Sequence, residues 1–198
     1  MSTLPKTYFT PEEYLQIERK ASFKSQFYRG EMFAMAGASQ RHNLLVSNLV
    51  TSINTLLRET SCQVYPSDMR VKVSQTGLYT YPDVVVVCER PQFDDTQNDT
   101  LLNPRVLVEV LSESTEAYDR GPKFEQYRRL ESLQEYILVA QDRRYVELYQ
   151  RQPNNHWLLS EFQSPADAIP VTSVAVTLHL SDIYFKVDFE SSPPIAKQ

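Results

Sequence analysis

Cysteine and histidine are scarce in this chain. Its two cysteines, Cys62 and Cys88, make no CxxC pair and sit in separate strand-like runs, so they read as two small buried hydrophobes. The three histidines, His42, His156 and His179, are scattered with no second ligand at metal spacing, which excludes a structural zinc site. No apolar run approaches the roughly 20 residues that cross a bilayer. The opening "MSTLPKTYFTPEEY" also lacks the apolar stretch of a signal peptide. The expectation is a cytoplasmic chain with no membrane partner. Positive charge is short as well: the formal net charge is -5, against a protein that coats nucleic acid by charge alone. A local basic patch working beside a bound cation is still open.

What is present is the composition of a globular protein, 41% hydrophobic and 23% charged. A chain of 198 residues buries roughly 70% of its unfolded surface and needs no disulfide staple. One domain over residues 1–190 is expected, with 191–198 as a flexible tail.

Helix signals begin at "TPEEYLQIERK", where Thr10 caps, Pro11 suits the first turn and Glu13 completes a capping box. Two short strands broken at Gly30 follow. Leu45, Leu49, Ile53 and Leu56 then repeat at helical spacing in "QRHNLLVSNLVTSINTLLRE". Strands are expected at "CQVYP", "MRVKVS", "PDVVVVCE", "RVLVEVLS", "EYILVA", "YVELYQ", "HWLLSEF" and "VAVTLHL". "RPQFDDTQNDTLLNP" reads as a surface loop, and a helix is expected from Pro122 to Leu130. A short helix is expected at "SDIYF" near the end. The order implies α/β architecture, one mixed sheet with helices on both sides.

Two strand-borne carboxylates break the apolar pattern. Val106, Val108 and Val110 share one face of their strand, and Leu107, Glu109 and Leu111 the other. Apolar residues on both faces mark a central strand, so an isolated charge at Glu109 costs several kcal/mol unless a cation, a basic partner or a cleft meets it. A partly solvated strand end is the structural alternative. Asp83 follows Pro82 at the start of "VVVV", at the lip of another oily strand. Two such carboxylates repel unless a hard cation lies between them. Mg2+ takes one or two protein carboxylates, with water and phosphate oxygens completing its shell. Downstream, Lys123 falls in the first turn after Pro122, where the helix dipole favours acidic side chains. It is either a solvated lysine or one that reaches the carboxylates. Arg120, Arg128 and Arg129 make the same segment locally basic.

A "PD" opening an apolar strand, then a Glu-bearing strand, then a lysine, looks like the PD-(D/E)XK nuclease superfamily. "RGEMFAMAGASQRHN", "YPDVVVVCE", "VLVEVLSEST", "YDRGPKFEQYRR" and "LQEYILVAQDRRYVELYQ" together resemble the Uma-type family of restriction endonucleases, from about Thr10 to about Leu180. The resemblance implies a restriction-endonuclease-like core, a mixed sheet flanked by helices with a divalent metal at one edge. It matches Asp83 and Glu109 to metal-binding catalytic acids, with Mg2+ or Mn2+ as cofactor and DNA as substrate. Lys123 matches a catalytic lysine on the following helix, because Leu111 fills the usual lysine slot. Glu31 and His42 match further family positions: Glu31 completes the metal shell or turns outward, and His42 contacts substrate or caps its helix. Ser112 and Asp119 also match, and capping accounts for both. A homodimer would suit the cutting of both strands. Two other readings compete. One is a binding module that keeps the fold without catalysis. The other is a metal-independent glycosidase using the same two acids, which a single tryptophan disfavours.

Overall fold

The structure, a computed structural model, describes residues 8–189. The expected tail at 191–198 lies outside the described residues. Thr10 and Glu13 form the capping box that starts α1 (Pro11–Glu18). The hairpin of β1 (Ser25–Tyr28) and β2 (Glu31–Ala34) follows, then α2 (Gln40–Leu56). Next come β3 (Gln63–Pro66), β4 (Arg70–Val73), β5 (Leu78–Thr80), β6 (Val84–Val87), β7 (Thr100–Leu101) and β8 (Val106–Leu111). Two short helices, α3 (Glu116–Tyr118) and α4 (Phe124–Tyr127), are joined by a π-helical turn over Asp119–Lys123. The chain continues through β9 (Glu135–Ala140), β10 (Val146–Arg151), β11 (Trp157–Phe162), β12 (Ala168–Val171), β13 (Val176–His179) and α5 (Leu180–Ile183).

The expectation of α/β architecture holds, but two main sheets replace the single one expected. The larger runs β11-β10-β9-β8-β6-β3 and the second β2-β1-β5-β4-β7, with β12 and β13 as a separate hairpin. β8 and β9 are parallel, and the α3–α4 segment makes the crossover that parallel neighbours need. β8 is buried at all six positions, as its two apolar faces require. Val106, Val108 and Val110 pack with Leu45, Leu49 and Ile53 of α2. Leu107 and Leu111 pack with Phe124, Tyr127 and Tyr136 on the opposite side. Each such side chain contributes about 1.5–3 kcal/mol by leaving water.

Several local expectations are corrected. The apolar stripe of α2 closes on Leu57, which is buried, while Leu56 is 45% exposed; the contacts step by four residues from Leu45. The helix expected from Pro122 begins at Glu116 instead. Pro122 lies inside its widened π-helical turn, a geometry that tolerates the donor proline lacks. The expected surface loop before β8 contains β7, whose Thr100 and Leu101 are fully buried beside β4. Its acids are tied down: Asp94 to Lys72, Asp95 to Arg19, and Asp99 to Arg19 and Arg70. β5 and β12 were also unforeseen. Arg120 pairs with Glu116 and Glu147, so it is not the free phosphate-facing cation its sequence context implies.

The two cysteines are not separate hydrophobes. Gln63 faces Val87 across the β3–β6 ladder, so Cys62 and Cys88 meet one step beyond it and form a disulfide, with Cα atoms 3.7 Å apart. Both are half-buried.

Candidate active site

Strand register brings the two acids together. Val84 faces Val108 in the antiparallel β6–β8 pair, so the next step sets Asp83 beside Glu109. Asp83 Oδ2 accepts the Val110 N–H at 2.8 Å, a bond that fastens the lip of β6 to β8. The same oxygen lies 3.1 Å from His42 Nε2. His42 stands in the first turn of α2, where the Ser39 hydroxyl accepts its backbone N–H. Its ring therefore serves Asp83, and the capping role expected of it belongs to Ser39. His42 Nδ1 is buried and has no hydrogen bond among the described residues.

Glu109 is 3% exposed and points away from α2, toward the crossover segment. Its Oε1 forms an ion pair with Lys123 Nζ at 2.8 Å and accepts from the Tyr127 hydroxyl at 2.8 Å. Lys123, equally buried, also lies 3.0 Å from Asp119 Oδ1. That second contact is electrostatic, because Asp119 Oδ1 has no aligned hydrogen-bond donor. The Tyr136 hydroxyl donates to the Asp119 backbone carbonyl at 3.1 Å. Lys123 is thus neither solvated nor in a first helical turn; the π-helical turn delivers its amine to Glu109.

Burial first, then the Asp119 and Asp83 charges, push Glu109 up to about 8 against the opposing pull of Lys123. Burial opposes the Lys123 charge, but Glu109 and Asp119 outweigh it and hold the ammonium protonated. The two groups share neighbours: Asp119 raises Glu109 and, with Glu109, holds Lys123 charged, while Asp83 adds to the rise of Glu109.

Two neighbouring acids of this kind suit a divalent cation. Asp83 Oδ1 and Glu109 Oε2 accept no hydrogen bond among the described residues, so each acid keeps one oxygen to offer. No three His, Cys, Asp or Glu side chains gather at ligand spacing among the described residues. Two carboxylates are nonetheless the protein share that Mg2+ uses, the remainder being water and phosphate. An open cleft of about 530 Å³ lies at the C-terminal ends of β8 and β9, and neither Asp83 nor Glu109 lines it. Ser39, Gln40 and Arg41 line it at the N-terminal end of α2, and Ser112 and Gln141 just past the ends of β8 and β9.

The structure therefore joins Asp83, Glu109, Lys123 and His42. Glu31 stands on β2 opposite Tyr28, in the second sheet. Sequence reasoning missed Tyr127 and gave Asp119 only a capping role. Their signal was the four-residue step Asp119–Lys123–Tyr127, which puts all three on one helical face. Ser112 does cap, accepting the Thr115 N–H at 3.2 Å.

A structure from Anabaena variabilis, described as "a putative nuclease belonging to DUF820", superposes with a TM-score of 0.73 at 19% identity. The match covers 89% of this chain and 97% of that one, and it shows the fold. Two proteins of Synechocystis sp. are similar in sequence. "Uncharacterized protein sll1609" is 40% identical over 152 residues, covering 77% of this chain and 86% of that protein. "Uncharacterized protein slr1290" is 35% identical over 175 residues, covering 88% and 90%. The model of the Uma2 family, described as "Putative restriction endonuclease", matches residues 11–181, and the chain belongs to that family.

Proposed function

We propose that this protein is a divalent-metal-dependent endonuclease that hydrolyses phosphodiester bonds, with DNA as substrate. The observation that carries the reading is the pairing of Asp83, at the lip of β6, with Glu109 inside the adjoining β8, and Lys123 on Glu109. Family membership supports the nuclease class. Asp83 Oδ1 and Glu109 Oε2 would hold Mg2+ or Mn2+, which supplies an acidified water and offsets charge on the attacked phosphate. The Val110 N–H and His42 Nε2 fix Asp83 through its other oxygen. Lys123 and Tyr127 fix Glu109 likewise, and the Lys123 ammonium orients the attacking water or offsets developing negative charge. Two copies acting as a homodimer suit cleavage of both strands, which sedimentation velocity tests.

A second reading, a nucleic-acid-binding derivative without catalysis, is favoured by one feature: Leu111 occupies the usual lysine slot and is buried. Incubating supercoiled and single-stranded DNA with the protein and Mg2+ or Mn2+ separates the two. Cleavage that disappears in Asp83→Ala and Glu109→Ala is expected. Cleavage that is absent in the parent, or persists in both variants, overturns the enzyme reading.

A further inference from the structure

The β1–β2 hairpin carries a polar and aromatic face that packing leaves partly open: Phe33 is exposed, while Tyr28 packs against the core around Leu107 and Tyr136. Its turn has both central residues at positive φ, Arg29 at 51° and Gly30 at 84°, the backbone of a tight two-residue hairpin. Phe27 points inward, stacked 4.9 Å from Tyr14 of α1. The alternate residues point the other way. Gln26 is paired with Phe33 across the hairpin and Tyr28 with Glu31, so these four side chains share the outer face. Phe33 is 50% exposed, an unusual place for a phenylalanine on a strand.

Tyr118 joins this face to the site. Its hydroxyl donates to Gln26 Oε1 at 3.2 Å, while its ring is 37% exposed. It is also near enough to Lys123, Asp119, Glu109 and Tyr28 to feel their charges. At the turn, Arg29 lies 5.0 Å above the Tyr28 ring and forms no ion pair among the described residues. The strip therefore reads, from its outer end inward, as the exposed Arg29 guanidinium over Tyr28, the Tyr28–Glu31 pair, an amide with an exposed phenylalanine beside it, and the exposed Tyr118.

We propose that this strip is a stacking platform for unpaired nucleobases, so that the protein takes single-stranded or locally opened DNA. The inference rests on the nuclease reading for its chemistry and adds the class of substrate. Two observations commit the face to this occupant. It is continuous with the centre that would work on the phosphate, so nucleotides flanking that phosphate must pass over it. Its exposed rings also suit bases: Phe33 is 50% exposed and Tyr118 37%, with Arg29 exposed at the outer end and the Glu31 carboxylate on the same face. A net charge of -5 gives no broad electrostatic hold on a duplex backbone, whereas stacking on exposed rings binds any unpaired base.

Binding of fluorescein-labelled oligothymidylate, free and annealed to oligoadenylate, tests this by anisotropy in EDTA, where no hydrolysis intervenes. The parent should hold the single strand more tightly than the duplex. Phe33→Ala and Tyr118→Ala should each weaken single-strand binding roughly tenfold. Phe33→Tyr and Tyr118→Phe, which keep the rings, should retain parental affinity, and unchanged circular dichroism excludes misfolding. Equal affinity for both forms, no binding to either, or equal losses in ring-keeping and ring-deleting variants overturns the platform. So does a Phe33→Ala variant that only converts a dimer to monomer, since the ring then serves a second copy. The nuclease reading fails separately: cleavage can be absent while binding follows the rings, or present while binding ignores them.

Discussion

Lys123 and Glu109 meet at 2.8 Å with both side chains nearly sealed from water, and each is held there by what the other supplies. Breaking such a pair leaves a buried charge without its partner. Lys123→Met should therefore destabilise the protein by about 3 kcal/mol in urea denaturation, because Glu109 and Asp119 then face each other alone. Adding Glu109→Gln to that variant should recover a large part of the loss; a single variant as stable as the parent contradicts the account. Tyr127→Phe keeps the ring against Tyr136, 5.4 Å between centroids, and deletes only the hydroxyl on Glu109. The same measurement should show a loss of about 1–2 kcal/mol. Asp83 and Glu109 were legible in the sequence because a lone charge in an oily strand demands an explanation. Asp119 and Tyr127 were not, because a helix start placed at Pro122 hid the face they share with Lys123.

Elements are tied to one another here by buried or half-buried ionic groups. Glu135, 1% exposed at the start of β9, accepts from the Thr172 and Ser173 backbone N–H groups at 2.7 and 3.2 Å and from Gln150 Nε2 at 2.9 Å. It thereby fastens the β12–β13 hairpin to the large sheet. Glu135→Ala should cost about 3 kcal/mol and speed amide exchange over residues 168–179 before the rest of the chain; uniform acceleration would contradict a local anchor. On the other sheet, Arg19 hydrogen-bonds Asp99, binding α1 to the segment around β7. Arg19 first, with help from Arg70 against burial, lowers Asp99 from 3.8 to about 2. A depressed carboxyl stabilises the fold above its unfolded value, so this contribution is present above about pH 4 and lost as pH falls through about 2. Thermal midpoints recorded down that range should fall less steeply in Asp99→Asn. The long helix and the central strands were readable because their apolar periods are regular. β5, β7 and β12 were not, because two to four residues give no period, and partners distant in sequence decide them.

At the scale of the whole molecule, two sheets share one chain and a disulfide closes one end of the larger. Cys62 and Cys88 are 26 residues apart, and a cross-link of that span restricts the unfolded chain by about 3.5 kcal/mol. Reduction with dithiothreitol should lower the urea midpoint accordingly, and an unchanged midpoint would show that the bond contributes nothing. The bond itself could not be read from sequence, since it depends on a strand register that two isolated cysteines do not reveal. Such bonds persist in oxidising surroundings, which sets this one against the cytoplasmic expectation. Labelling of free thiols in protein taken directly from cells measures which holds. The nuclease account turns on whether Asp83 and Glu109 together bind a divalent cation. The direct test is calorimetric titration of Mn2+ into the parent, Asp83→Ala and Glu109→Ala. The account predicts saturable binding to the parent that both variants lose. A parent that takes up no Mn2+, or variants that bind as the parent does, would contradict it.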